Sequence, residues 1–183
     1  MIALPPAWRW LLREASPRML VEAVALFGTL EVSGDGSNPE IIAWADEIGG
    51  WVGDWYNDDA VPWCGLFIGI VAKRAGKAVR QDMLGARNWL KWGNPVAGEP
   101  VLGDVLVFSR KGGGPRGGHV GLYVGEDSEA YHVLGGNQGN AVSIIRVEKD
   151  RLLGARNSYS IGQPANCRRV WCEPDGALSV NEA

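Results

Sequence analysis

The sequence lacks three features that would assign it to a broad functional class. It has no basic stripe, and its net charge of -3 argues against nucleic acid as a partner, because phosphate binding needs clustered lysine and arginine. It has no run of about 18 apolar residues, so we expect no stable membrane insertion. Its three cysteines do not suit a full disulfide framework. Cys167 and Cys172 are near enough in sequence to bridge, but spacing alone does not decide whether they do.

The first twenty residues, MIALPPAWRWLLREASPRML, do not follow the pattern of a secretory signal peptide, because arginine and proline interrupt the apolar stretch. We therefore expect a protein made in the cytoplasm. The length predicts a single domain over 1–183, with a core at about 37–172, N-terminal helices over 1–36 as an extension, and a flexible tail over 173–183. Nothing in the sequence requires more than a monomer.

The order of the apolar patterns predicts the fold class. Apolar residues recur at helical spacing within 19–27, 41–48 and 63–71, which favours helices in the first half of the chain. The second half contains short alternating runs, GDVLVFSR, GGHVGLYVGED, EAYHVLGG and NAVSIIRVE, which are typical of strands. Helices followed by strands predict an α+β fold, with N-terminal helices packed on an antiparallel sheet.

Cys64 lies at the start of the predicted helix that opens near Pro62. Free backbone N–H groups and the positive end of the helix dipole favour an anion there. We therefore expect a lowered thiol pKa, rapid alkylation near neutral pH, and stabilisation of an oxyanion by the same N–H groups. Gly65 is expected to keep the approach to the sulfur open. The alternative is a core thiol, since free cysteine is among the most buried residue types.

Two histidines, His119 and His132, are the candidate bases. In GGHVGLYVGED, alternation places the His119 side chain opposite the valines that face the core. His132 lies in the next run and competes for the role. If the two runs pair as a hairpin, Asn137 comes close to His119, where an amide oxygen would orient the imidazole as in a Cys-His-Asn arrangement. Gln138 could perform the same task.

Four motifs in order, PWCGLFIG, GDVLVFSR, GGHVGLYVGED and VLGGNQGNAV, resemble the CHAP/NlpC-P60 superfamily of cysteine peptidoglycan hydrolases, and within it the small phage-type endolysins. The similarity extends from SNPEIIAWADEIGG to RLLGARNS, most of the chain. The resemblance implies a papain-like fold, with Cys64 as nucleophile, His119 as base and Asn137 as the orienting residue. Many CHAP relatives have an acidic residue where this chain has Gly135. The orienting residue therefore stays open between Asn137 and Gln138.

The resemblance implies hydrolysis of an amide bond in bacterial peptidoglycan, without a cofactor. The enzyme would be an N-acetylmuramoyl-L-alanine amidase or a stem-peptide endopeptidase, and the residues do not choose between them. Tyr56, Asp59 and Trp63 precede or flank the nucleophile and are candidates for oxyanion or substrate contacts. Other tryptophans (Trp55, Trp89, Trp92) could line a cleft. The target would be the periplasmic cell wall, reached through a holin, a secretion system or lysis.

Two metal-related interpretations and one non-catalytic interpretation stand beside this one. Some relatives bind calcium in an acidic loop before the cysteine, but 54–59 lacks the alternating aspartates of a firm calcium loop, so we predict no metal. A zinc protein would use Cys64, His119, His132 and a C-terminal cysteine, a spacing that matches no standard zinc pattern. The third possibility is a wall-binding or virion structural module with an inert site.

Overall fold

A computed structural model describes residues 4–174, 176–180 and 182. The described residues form four α-helices: α1 (Arg18–Ala25), α2 (Pro39–Ile48), α3 (Gly50–Trp55) and α4 (Cys64–Arg74). They form six strands: β1 (Asn94–Pro95), β2 (Val105–Ser109), β3 (Gly118–Glu126), β4 (Ala130–Gly135), β5 (Ser143–Glu148) and β6 (Leu152–Asn157). Short 3-10 helices span Pro6–Arg13, Ala86–Lys91, Gly114–Arg116 and Lys149–Arg151.

The six strands form one sheet in the order β1-β6-β2-β3-β4-β5, and every neighbouring pair is antiparallel. The α-helices all precede the strands in the chain. The predicted α+β class is therefore confirmed. Within the described residues, no helix is both long and apolar enough to cross a bilayer.

Alternation along the strands divides the apolar residues between the two faces of the sheet. Val120, Leu122 and Val124 of β3 join the main core with the helices. Tyr123 belongs to a smaller cluster with Phe108 of β2. The predicted side of β3 that faces the core is confirmed, and His119 is one residue out of phase with that side.

The N-terminal segment belongs to the main core. The 3-10 helix Pro6–Arg13 contributes Trp8 and Leu11, and α1 contributes Leu20 and Ala23, all of which are buried in the same cluster as α4. The segment expected to be an extension therefore packs in the same hydrophobic core as the rest of the described residues.

The described residues of the C-terminal tail contact the domain, and the flexibility of 173–183 stays a prediction. Leu178 forms a β-bridge with Arg146, and Glu182 is 1% exposed. The Glu182 carboxylate accepts a hydrogen bond from Arg151 Nη2 at 2.8 Å. A carboxylate is costly to bury alone, so this buried partner holds the tail against the domain. Residues 175, 181 and 183 lie outside the described residues.

α2 packs against α4 and is capped at its start, since the Asn38 side chain accepts from the Glu40 amide at 2.8 Å. Just after β4, a Cβ on Gly136 would lie 2.5 Å from Phe67 Cβ and 2.7 Å from Trp63 Cζ3. Glycine at this position therefore allows the end of β4 to approach the first turn of α4.

Candidate active site

Cys64 is the first residue of α4, and its thiol is enclosed by protein. Burial raises the pKa of Cys64 to about 11. Hydrogen bonds from the backbone amides of Val120, Gly65 and Cys64 itself act in the opposite direction but are weaker. The prediction of a lowered pKa is wrong, because desolvation outweighs the helix end when only 7% of the residue is exposed.

Gly65 packs against a neighbouring segment. A Cβ at this position would collide with the carbonyl oxygen of Met83 and lie 2.5 Å from that of Leu84. The prediction that Gly65 opens an approach to the sulfur is therefore wrong. The absence of a side chain instead allows the first turn of α4 to lie on the backbone of residues 83 and 84.

The Val120 amide, one of the groups that act to lower the pKa of Cys64, belongs to the residue next to His119 in β3. α4 packs against β3, so the helix carrying Cys64 and the strand carrying His119 are neighbours in the fold. His119 is 1% exposed, and its Nε2 lies 2.8 Å from Gln138 Oε1. Gly135 leaves the room for this contact, because a Cβ there would be 2.6 Å from Gln138 Oε1.

The contacts of Gln138 determine which nitrogen of His119 carries the proton. The Gln138 amide nitrogen donates to the carbonyl oxygens of Val133 at 3.2 Å and Ser143 at 2.6 Å. These two acceptors identify that atom as nitrogen, so the atom facing His119 is an acceptor oxygen. His119 must therefore donate from Nε2, and its Nδ1 keeps the lone pair that can accept a proton.

The charge environment of His119 includes a residue that the sequence did not indicate. Burial lowers the pKa of His119 below its ordinary value of 6.5, while Glu182 and the hydrogen bond to Gln138 act to raise it. Glu182 reaches this region from the C-terminal tail, held by Arg151 and by Ser179 Oγ at 2.9 Å. No local motif could have identified it, because an acidic residue in a polar tail resembles any solvated charge.

Asn137 does not orient the imidazole, which corrects that prediction. Its backbone has a φ of 56°, and its Nδ2 donates to Glu31 Oε2 at 3.2 Å. The left-handed turn thus points the side chain toward the N-terminal segment while the next residue, Gln138, faces His119. Asn137 Oδ1 is buried and has no hydrogen-bond partner among the described residues.

Tyr56, Asp59 and Trp63 have structural partners. The Tyr56 hydroxyl donates to the Val61 carbonyl oxygen at 2.8 Å. Asp59 accepts from the backbone amides of Val32 at 3.0 Å and Asn38 at 2.7 Å. Trp63 is fully buried, and its Nε1 donates to Glu31 Oε2 at 3.1 Å. The structure does not support the predicted oxyanion and substrate roles, because these groups are buried and already bonded within the protein. Glu31, which holds both Trp63 and Asn137, was missed in the sequence.

The second histidine belongs to a different network. His132 Nε2 lies 2.9 Å from Asp127 Oδ2, an oxygen that also accepts from Arg146 Nε at 2.8 Å. The three residues are at least nine-tenths buried, which indicates a structural role.

Within the described part of the chain, no group of three or more histidine, cysteine or acidic residues could hold a metal ion. Cys167 and Cys172 are free thiols, so they do not form the bridge that the spacing left open.

Of the predicted cleft tryptophans, Trp89 and Trp92 are buried, with their indole N–H groups bonded to the carbonyl oxygens of Met83 and Ala78. Trp55 is 55% exposed. No family model, no curated protein and no solved structure matches this chain. The function is therefore argued from the geometry of the thiol, the imidazole and the Gln138 amide.

Alkylation of Cys64 is expected to be slow at neutral pH and to accelerate as the pH rises toward 11. A pKa near 11 instead of the ordinary 9.0 reduces the thiolate fraction at pH 7 about 100-fold, because each pKa unit is a factor of ten. The measurement is the iodoacetamide rate in a chain with Cys167→Ser and Cys172→Ser, compared with a free cysteine peptide. Labelling at pH 7 as fast as the peptide would contradict the enclosed, neutral thiol.

Proposed function

We propose that this protein is a cysteine peptidoglycan hydrolase of the CHAP/NlpC-P60 type with a papain-like fold, acting as an amidase or a stem-peptide endopeptidase. In this proposal it works as a monomer without a cofactor. It is made in the cytoplasm and reaches the periplasmic wall through a holin, a secretion system or lysis. The four ordered motifs and the α+β arrangement of one helix against an antiparallel sheet support the assignment.

The observation that carries the proposal is the assignment of the His119 tautomer by Gln138. Two carbonyl oxygens hold the Gln138 amide nitrogen, so its oxygen accepts from His119 Nε2. In this proposal Nδ1 is the base, on the strand that packs against the helix carrying Cys64.

In the first half of the reaction, His119 Nδ1 takes the proton from Cys64, and the thiolate sulfur attacks the carbonyl carbon of the amide. The carbonyl π electrons move to oxygen. The backbone amides at the start of α4 then stabilise the oxyanion, since they are already directed at this position. His119 next donates the proton to the leaving nitrogen, the C–N bond breaks, and an acyl-enzyme thioester stays on Cys64.

In the second half, water attacks the thioester carbonyl while His119 Nδ1 takes a proton from it. The carbon–sulfur bond breaks, and His119 returns that proton to the Cys64 sulfur. The product leaves as a carboxylic acid and then loses its remaining proton to the solvent as a carboxylate. Gln138 keeps the ring orientation throughout, because its oxygen can accept from Nε2 in both the neutral and the protonated ring.

A second candidate is a wall-binding or virion module in which the thiol is inert. The specific observation that favours it is the burial of Cys64, which raises the pKa of the thiol. In a hydrolase, substrate binding and the imidazole would have to offset the cost of forming a buried thiolate. An inert module never forms the thiolate, so it has no such cost to offset.

Mass spectrometry of fragments released from purified peptidoglycan tests the proposal. The parent chain is expected to release fragments whose masses include one added water per cut, and Cys64→Ala is expected to release none. Fragments that separate the lactyl group from L-alanine identify an amidase, and cuts within the stem peptide identify an endopeptidase. Equal release by both chains, or release by neither across the pH range, would overturn the hydrolase.

A further inference from the structure

A groove lies at the end of α4 that is opposite Cys64. It consists of three adjoining cavities of about 400, 450 and 250 Å³. The first and second share Lys77 and Tyr159 in their walls, and the second and third share Val79 and Arg80. We call these three cavities the distal groove. Since α4 has 11 residues, the groove begins about 16 Å from the nucleophile.

The distal groove is basic in a chain that is acidic overall. Arg18, Lys77, Arg80 and Lys91 line it, and no carboxylate among the described residues does. Arg18 and Arg80 have acidic neighbours outside the groove wall, and Lys77 Nζ lies 3.4 Å from a backbone carbonyl oxygen. With a net charge of -3 for the whole chain, this distribution concentrates positive charge where an anionic ligand would lie.

One end of the distal groove carries exposed aromatic surface. Trp51 lines the third cavity and is 45% exposed, and Trp55 beside it is 55% exposed. Their ring centroids are 6.2 Å apart. Trp51 Nε1 donates to the Gln81 carbonyl oxygen at 2.9 Å, which holds the indole in place. An anchored indole with an open face is a typical surface for stacking against a ring with an apolar face, such as a sugar.

We propose that the distal groove binds a part of the peptidoglycan strand away from the bond that is cut. Stem-peptide carboxylates would lie along the lysines and arginines, and a sugar ring would stack at Trp51 and Trp55. This inference rests on the proposed function, because it names where that same substrate is held. A nucleic acid also combines negative charge with flat rings, but the acidic chain as a whole repels a polyphosphate.

The groove would supply binding energy remote from the reaction. Contacts made about 16 Å from the sulfur can hold the polymer while the scissile amide enters the enclosed site near His119. Remote contacts of this kind contribute to catalysis when they offset the cost of positioning the reacting bond. The cost is considerable here, because the substrate must displace whatever covers a thiol that is only 7% exposed.

The test is co-sedimentation with purified peptidoglycan, using the full chain with Cys64→Ala so that the polymer stays intact. Lys77→Glu with Lys91→Glu is expected to weaken binding at least about tenfold at low salt, and Trp55→Ser several-fold. The matched controls are Arg9→Glu with Arg13→Glu, which makes the same charge change on exposed residues outside the groove, and Trp171→Ser, which removes an exposed indole elsewhere. Both controls are expected to bind like the parent.

Two results would overturn the proposal that the distal groove binds peptidoglycan. One is that the groove variants sediment like their controls. The other is that a single-stranded oligonucleotide binds as tightly as peptidoglycan and displaces it. Loss of binding in the groove variants alone supports it. Because the assay uses a chain without the nucleophile, its outcome does not depend on hydrolysis. Failure of the proposed function appears separately, as absence of fragments from the parent chain.

Discussion

Replacing His119 with alanine is expected to reduce the release of peptidoglycan fragments at least about 10³-fold. Without the imidazole, nothing at the site takes the Cys64 proton, and burial keeps the thiol protonated with a pKa of about 11. The loss combines general base and general acid catalysis, which are individually worth about 10²–10⁴-fold. The measurement is kcat/KM for fragment release, with circular dichroism to confirm that the variant is folded.

The matched control is His132→Gln, which removes the other of the two histidines. His132 belongs to the buried network with Asp127 and Arg146, so this variant is expected to lose stability while the folded fraction keeps its rate within a few-fold. If His119→Ala retained more than a tenth of the parent rate, or if His132→Gln lost as much as His119→Ala, the assignment of the base would be wrong.

Gln138 allows the role of His119 to be separated from simple loss of packing. Gln138→Leu leaves Nε2–H of His119 without an acceptor and is expected to cost about 10–100-fold in kcat with little change in KM. Gln138→Glu places a carboxylate beside the ring and favours its charged form. The base must be neutral to act, so raising the pKa of His119 is expected to move the acidic limb of the pH profile to higher pH. An unmoved limb would show that the ring titrates independently of Gln138.

Much of the arrangement around the site could be predicted because it depends on short-range patterns. The period-2 alternation in β3 predicts Val120 and Leu122 in the core, where the structure has them. The start of the helix carrying Cys64 is predicted near Pro62, two residues before the observed first residue, Cys64. Each of these features depends on residues that are close together in the sequence, so a local sequence pattern is enough to predict it.

The parts of the site that the sequence did not reveal depend on long-range contacts. Glu31 and Glu182 approach from opposite ends of the chain, and neither has a local pattern that marks it. The choice between Asn137 and Gln138 depends on one backbone angle, the φ of 56° at Asn137. The pKa of Cys64 depends on how completely the folded chain surrounds the thiol. The position of Cys64 at a helix start does not reveal how much of the chain packs around it.

Replacing Gly65 with alanine is expected to destabilise the fold by about 3 kcal/mol, lowering the melting temperature by roughly 6–12 °C for a domain of this size. The new methyl group would collide with the carbonyl oxygen of Met83 and lie 2.5 Å from that of Leu84. Both obstacles are backbone, so α4 or the segment at 83–84 must shift. Alanine is the better helix former by about 1 kcal/mol, and the collision outweighs that gain.

Gly69 provides the matched control one turn further along the same buried helix. A methyl group there would meet mainly the end of the Met83 side chain, with its sulfur at 3.0 Å, and a flexible thioether can change rotamer. Gly69→Ala is therefore expected to cost about 1 kcal/mol or less in urea unfolding. Equal losses of stability for the two variants would show that crowding inside α4, and not the contact of its first turn with residues 83 and 84, sets the cost.

Because that contact fixes where Cys64 lies relative to β3, Gly65→Ala should also slow fragment release at temperatures where the variant is still folded.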